Sequence, residues 1–114
     1  MHELGIVFHI IKTVEEVAKE QQIDKVAKVV LEVGEVSTVI PDYLTDCWAW
    51  ARKRSEIMKE CEIAIEPIAA VTLCDDCQKT YETIKYAKVC PYCKSENTYL
   101  IQGSEVQIKE IEVP

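Results

Sequence analysis

Leu4, Val7, Ile11, Val14 and Ala18 recur three or four positions apart, and Ile10 and Val17 widen the stripe they draw. Lys12, Glu15, Glu16 and Lys19 fall largely outside it. Side chains three and four apart share one face of an α-helix, so the pattern predicts an amphipathic helix over about residues 3–21. The period then changes. Val29, Leu31 and Val33 share one face of an extended segment, with Lys28 and Glu32 on the other and Val30 between them. A strand is expected there, closing at Gly34. Pro41 suits the first turn of a second helix, because the amide it lacks has no helical partner at that position. Leu44, Trp48, Ala51 and Met58 line one side, with Cys47 adjacent, and the pattern carries the helix to about Lys59. "CEIAIEPI" reads as a short strand that Pro67 interrupts or confines to a sheet edge. "SEVQIKEIEV" is strand-like, yet Val106 and Ile108 fall on one face and Ile111 and Val113 on the other. That slip predicts a bulge or a strand covered on both sides.

The order is therefore helix, strand, helix, strand, a cysteine-rich stretch over about 72–103, strand. It predicts an α/β (α+β) fold, two helices on a small three-stranded sheet with a four-cysteine module inserted. The expected boundaries are residues 1–71 and 104–114 for the α/β domain and 72–103 for the module.

Composition narrows the picture. A chain of 114 residues with 48% hydrophobic and 29% charged residues is a globular sequence with room for one ordinary domain or a small core plus a stapled module. With only 3 Gly and 4 Pro it carries no long linker or repeat. The net charge of −7 disfavours nucleic acid and acidic membranes, because phosphate binding needs clustered Lys and Arg. No apolar run nears the roughly 20 residues of a membrane span. Glu3 stands where a signal peptide would be basic. A cytoplasmic location is expected, so the six cysteines read as thiols or metal ligands before disulfides.

Four of them form the strongest chemical signal. Cys74 and Cys77 are two residues apart in "CDDC", and Cys90 and Cys93 repeat that spacing in "CPYC" after twelve intervening residues. Each such turn brings two sulfurs to one ion, and two turns complete a tetrahedral four-thiolate shell suited to Zn²⁺. A closed shell leaves no place for water, so the site is expected to be structural, with the metal supplying folding free energy. Iron in the same cage, as in a rubredoxin-like electron carrier, is an alternative. A zinc-ribbon module binding nucleic acid or a protein is another. Lys79, Lys85, Lys88 and Lys94 against Asp75, Asp76 and Glu82 leave the module a balance of only +1, too little for strong phosphate binding. Cys47 and Cys61 have no partner spacing and are expected as buried free thiols. No nucleophile–base set is evident, so no catalysis is expected.

The chain begins Met1-His2-Glu3. Methionine is normally retained ahead of a bulky residue. Its free amine, the His2 amide nitrogen and the His2 imidazole can then close adjacent chelate rings on one metal, with the Glu3 amide nitrogen as a fourth donor. Four nitrogens in a plane suit Ni²⁺ or Cu²⁺. The first amides of a helix lack intrahelical acceptors, so recruiting them costs the fold little. His9 lies about 10 Å further along the same face, too far to share a mononuclear ion, and reads as a surface or packing residue.

The start "MHELGIV", the segment "LEVGEVSTVIPD", the "CDDC…CPYC" module and the closing "GSEVQIKEIEV" together resemble the HypA/HybF family, nickel metallochaperones of hydrogenase maturation, over essentially the whole chain. The resemblance implies a nickel-binding α/β domain with an inserted zinc ribbon. It implies nickel at Met1, His2 and Glu3 and structural zinc at Cys74, Cys77, Cys90 and Cys93. It also implies a GTPase partner, HypB, and delivery to the nickel–iron hydrogenase large subunit. Some relatives serve urease as well, and pairing of two copies into a homodimer stays open. Gly5 stands where Ser or Ala is frequent, at a cost of about 1 kcal/mol in helix propensity relative to Ala.

Overall fold

The structure is a computed structural model of the chain in which residues 3–114 are described. In chain order it contains α1 (Glu3–Glu20), β1 (Lys28–Gly34) and α2 (Pro41–Ala51), which runs into a 3-10 turn (Arg52–Arg54). Then come β2 (Glu62–Ile68), β3 (Val71–Cys74), β4 (Thr80–Glu82), α3 (Thr83–Tyr86), β5 (Thr98–Gln102) and β6 (Val106–Glu112). The strands form two three-stranded sheets, ordered β2-β1-β6 and β4-β3-β5. This is the mixed α/β architecture that the alternating periods predict.

Of the expected stripe α1 buries Val7, Ile10, Ile11, Val14 and Ala18, while Leu4 is only half-buried and Val17 stays 37% exposed. The stripe is thus widened on one flank only. β1 is the central strand of its sheet. Val29, Val30, Leu31 and Val33 are all buried in it, so the strand is covered on both faces, which is why apolar Val30 interrupts an otherwise polar face. Pro67 falls in β2, an edge strand, the position in a sheet where proline is tolerated. In β6, Val106, Ile108 and Ile111 are each half-buried, which fits partial cover on both sides, but Val113 lies past the strand and is exposed.

The second helix departs from expectation. It ends at Ala51 and not near Lys59. Ser55 takes an extended conformation, and its hydroxyl accepts the Met58 amide at 3.3 Å while donating to Glu15 Oε2 at 2.7 Å. A Ser side chain that bonds nearby backbone competes with helix propagation. Met58 nevertheless reaches the core, with no exposed surface, from a turn. Its i, i+7 phase with Ala51 is what extended the expected helix too far. Trp48, 2% exposed, donates from Nε1 to Cys61 O at 2.9 Å, and Arg52 Nη1 donates to the same oxygen at 2.8 Å. Burying Trp48, Leu44 and Leu31 contributes roughly 2–3 kcal/mol apiece.

α1 and α2 run in the same direction. Glu3 Oε2 accepts the Ile40 amide at 3.2 Å, the Phe8 and Trp50 rings meet edge to face at 6.1 Å, and Glu15 bonds Ser55. These three contacts occur in the same order along both segments.

The chain divides into two compact units, one holding residues up to 31 with 39–66 and 107–114, the other holding 32–38 and 67–106. The second unit thus takes in more than the cysteine-rich stretch. Segment 32–38 is held there by backbone bonds: Gly34 N to Glu105 O (2.7 Å), Glu35 N to Ile68 O (2.9 Å) and Val36 N to Gly103 O (2.9 Å). Glu35 Oε1 adds a bond from the Ala70 amide at 2.7 Å. This close weave requires two glycines. A Cβ on Gly34 would lie 1.9 Å from Gly103 O, and Gly103 has φ +112° with Ala70 Cα 2.4 Å from where its Cβ would stand.

One substitution should therefore act with opposite sign at two sites. Gly5→Ala places its methyl in open space inside a helix and should raise stability by about 0.5–1 kcal/mol. Gly34→Ala drives a methyl into backbone and should lower it by about 2 kcal/mol or more. Urea denaturation monitored by circular dichroism checks both.

Candidate metal centre

Cys74 ends β3, Cys77 lies in the turn that follows, and Cys90 and Cys93 flank a second turn after α3. The two turns repeat one backbone design. Gln78 N donates to Cys74 O (2.8 Å) and Cys74 N to Lys79 O (2.9 Å). Likewise Lys94 N donates to Cys90 O (2.9 Å) and Cys90 N to Ser95 O (2.9 Å). The residue after each second cysteine is left-handed, Gln78 at φ 61° and Lys94 at φ 65°. Each is a non-glycine residue in a conformation that costs of order 1 kcal/mol.

The four sulfurs all lie within 4.8 Å of one another. Cys74 and Cys93 Sγ are 3.5 Å apart, Cys77 and Cys90 Sγ 3.6 Å. A tetrahedral zinc with Zn–S bonds of about 2.3 Å requires sulfur separations of about 3.8 Å, so the donor set and its spacing fit that ion. Cys74 and Cys90 have no exposed surface, Cys77 is half-buried and Cys93 is exposed. Burial works against the Cys90 thiolate. The amides of Cys93 and Tyr92, together with the Cys77 and Cys93 thiols, outweigh it and hold Cys90 down at about 7. At Cys93 the Ser95 amide favours the thiolate, but the crowding sulfurs and burial push it up to about 12. The cage thus favours one thiolate and resists the next, the behaviour of ligands that need a cation among them.

Beside the sulfurs this part of the chain has little core. Tyr81, 6% exposed, packs with Cys74, Cys90 and Cys77, donates its hydroxyl to Ala87 O at 2.8 Å and meets the Tyr86 ring edge to face. A polar clasp, not evident from the sequence pattern, ties the two turns together. Asp76 accepts hydrogen bonds from the Ser95 hydroxyl and from Asn97 Nδ2 (3.3 Å), while Asp75 N donates to Asn97 O at 2.9 Å. The Ser95 and Asn97 bonds hold the Asp76 carboxyl below its ordinary range. The "DD" of CDDC reads as solvated charge, and only its coincidence with Ser and Asn after CPYC hints at the clasp.

Of the three residues expected to hold nickel, Met1 and His2 lie outside the described residues. Glu3 is 4% exposed, with its carboxylate at the Ile40 amide. It sits near the starts of both helices, where negative charge is favoured. His9 is exposed. Cys61 is a fully buried free thiol, pushed up to about 11 by burial despite Arg52, and Cys47 is a half-buried free thiol. Among the described residues no other cluster of three or more His, Cys, Asp or Glu could hold a metal, and no helix is long and apolar enough to cross a membrane.

Fold and site define a small α/β protein with a four-cysteine metal-binding ribbon. The family model described as "Hydrogenase/urease nickel incorporation, metallochaperone, hypA" matches residues 1–113, and the chain belongs to that family. It is 34% identical over 113 residues to hydrogenase maturation factor HypA of Actinobacillus succinogenes, covering 99% of each chain. It is 31% identical over 112 residues to hydrogenase maturation factor HybF of Klebsiella pneumoniae, covering 98% of each. The solution structure of the nickel metallochaperone HypA from Helicobacter pylori is similar throughout, with TM-score 0.76, 28% identity and coverage of 99% of this chain and 97% of that one. The expected family is thus the observed one, a family of metallochaperones and not of enzymes.

Loss of the clasp should loosen the cage. Asp76→Ala is expected to speed metal loss to a chromogenic chelator several-fold at neutral pH. Because the Asp76 carboxyl is depressed, the clasp is present above the ordinary carboxylate range and is lost as pH falls through the lowered value. The rate difference between Asp76→Ala and the parent should therefore persist as pH falls to the ordinary Asp range near about 3.9 and shrink only below it.

Proposed function

We propose that the chain carries Ni²⁺ as transferable cargo on Met1, His2 and Glu3, and holds Zn²⁺ as a structural ion on Cys74, Cys77, Cys90 and Cys93. The observation that carries this reading is the family match over residues 1–113, on a chain whose donors fall into two chemically distinct sets. One set is four thiolates in a closed cage, which suits a resident ion that stabilises the fold. The other is an amine, an imidazole and amides at the start of a helix, which suits an exchangeable ion preferring four nitrogens in a plane. The Glu3 carboxylate is engaged at Ile40, which favours the Glu3 backbone nitrogen as that residue's donor.

In this reading α1 and the sheet β2-β1-β6 belong to the nickel-handling part, and the ribbon around the cysteines gives the chain a second, rigid module. The nickel is passed in the cytoplasm through a HypB-type GTPase partner to the large subunit of a nickel–iron hydrogenase, with urease maturation as a second destination. An open chelate can be transferred by stepwise ligand exchange, without unfolding the helix beyond its first turn.

Nickel titration of protein with an authentic N-terminus tests this. Uptake should rise across about pH 5.5–8 as imidazole and amine lose their protons. His2→Ala, or one residue added ahead of Met1, should abolish nickel uptake and leave the cysteine-bound metal content unchanged. Retention of one tight nickel equivalent in either variant would overturn the assignment. Cys74→Ser should instead release the ribbon's metal and reduce its protease resistance.

A further inference from the structure

Four strands stand at sheet edges: β2 and β6 in one sheet, β4 and β5 in the other. Exposed edges invite unwanted strand pairing, and proteins guard them with charge or proline. β2 carries Glu62, Glu66 and Pro67, β6 carries Lys109, Glu110 and Glu112, and the three-residue β4 carries Glu82. β5, Thr-Tyr-Leu-Ile-Gln over Thr98–Gln102, carries neither. Tyr99, Leu100 and Ile101 are 52%, 39% and 48% exposed, so the strand is open on both faces. Its register places Leu100 opposite Thr72 and Tyr99 opposite Leu73 on β3. Among the described residues no strand pairs with its other side.

A groove of about 680 Å³ lies against this strand. Val36, Ile84, Ala87 and Leu100 supply apolar lining, and Lys88 and Glu96 contribute one charge of each sign. Thr72 and Thr83 also line it, their hydroxyls paired at 2.6 Å and so satisfied without a ligand. Ile84 is 64% exposed. An unguarded edge and an apolar groove thus adjoin within one compact unit.

We propose that β5 is a docking edge for an extended, uncharged segment of a partner protein, which adds a strand to the sheet β4-β3-β5 and sets apolar side chains against the groove. Charge selects the segment: β5 itself carries none, and the groove's single Lys88 and single Glu96 give no net field, so an acidic or basic strand gains no excess of counter-charge, whereas an uncharged one loses no ionic solvation. Strand addition takes its affinity from main-chain hydrogen bonds and its specificity from alternate side chains, so a short segment suffices. A second copy of the chain fits less well. Five residues make an edge about 17 Å long and about 10 Å deep, roughly 170 Å², against about 800 Å² per partner in a stable pair. Each copy also carries −7. The proposal does not depend on where nickel binds.

The test uses the full, zinc-loaded chain, isotopically labelled, and a capped peptide of alternating Thr and Val. Peptide at up to about 1 mM, a ligand range worth about 4 kcal/mol, should shift and protect the amides of 98–102 and move the methyl signals of Val36, Ile84 and Leu100. The same peptide N-methylated at alternate residues should not bind, because it cannot complete the ladder. Leu100→Lys should weaken binding roughly five-fold or more, while Leu100→Ile retains it. Metal content and circular dichroism establish that both variants fold. Absence of shifts at β5, equal binding of the N-methylated peptide, or unchanged affinity in a folded Leu100→Lys variant would each overturn the proposal. So would concentration-dependent protection of 98–102 without peptide, which would assign the edge to a second copy.

Discussion

Four sulfurs crowded within 4.8 Å of one another impose the constraint around which residues 67–106 are built. As thiolates they repel, and as thiols they are weak donors that gain little from one another. Two of them, Cys74 and Cys90, have no exposed surface, so solvent cannot relieve the repulsion. Only a central cation turns the arrangement from a cost into a bond. The surrounding elements are too short to hold it otherwise: strands of 4, 3 and 5 residues, a helix of 4, and little buried beside the cysteines but Tyr81, Ala70 and Thr72. The left-handed Gln78 and Lys94 add strain in the same place. Such residues persist where surrounding interactions over-determine them, here the paired backbone bonds of each turn, the Asp76–Ser95–Asn97 clasp and the convergence of sulfur.

The other unit rests on ordinary burial. Trp48, Leu44, Leu31, Val7 and Val14 are fully or nearly fully enclosed, and the Cys61 carbonyl among them receives two side-chain bonds. The two units bond most of their buried polar groups by different means, and among the described residues Ser37 Oγ and Arg52 Nε are buried side-chain atoms left without a partner. One spends aromatic and guanidinium donors on a carbonyl. The other spends backbone amides on its own turns.

What the sequence disclosed follows from which interactions leave a trace in side-chain type. α1 was legible because its stripe persists through Val7, Ile10, Ile11, Val14 and Ala18, over more than two turns. β1 was legible because a central strand must be apolar on both faces, and Val30 breaks the polar face accordingly. The cage was legible because metal ligation demands one residue type at a fixed spacing. The end of α2 was not. Met58 keeps helical phase with Ala51 yet arrives from a turn, and Ser55, whose hydroxyl accepts the Met58 amide there, looks in sequence like any surface serine. Nor was the reach of the cysteine-bearing unit. Segment 32–38 joins it through amides and carbonyls, which every residue possesses, and the trace that remains is the pair Gly34 and Gly103. Val17 shows the converse, an apolar residue in phase but left in solvent.

In the proposed reading the two metals need opposite kinetics, and the two donor sets supply them. A resident ion must not exchange, and a closed shell of four sulfurs offers no open coordination position for an incoming ligand. Cargo must exchange, and nitrogens at a chain terminus can leave one at a time. Geometry also keeps the ions apart, since a tetrahedral thiolate cage is a poor host for an ion that favours four nitrogens in a plane. In that same reading Glu3 would join the proposed cargo end to the rest of the fold. Its carboxylate is anchored at the Ile40 amide, so a metal drawing on its backbone nitrogen would bind against a residue already fixed in place. The buried stripe of α1 resumes at Val7, one turn further on. Ligand exchange at the first turn can then proceed while the remaining turns, and everything packed on them, stay folded.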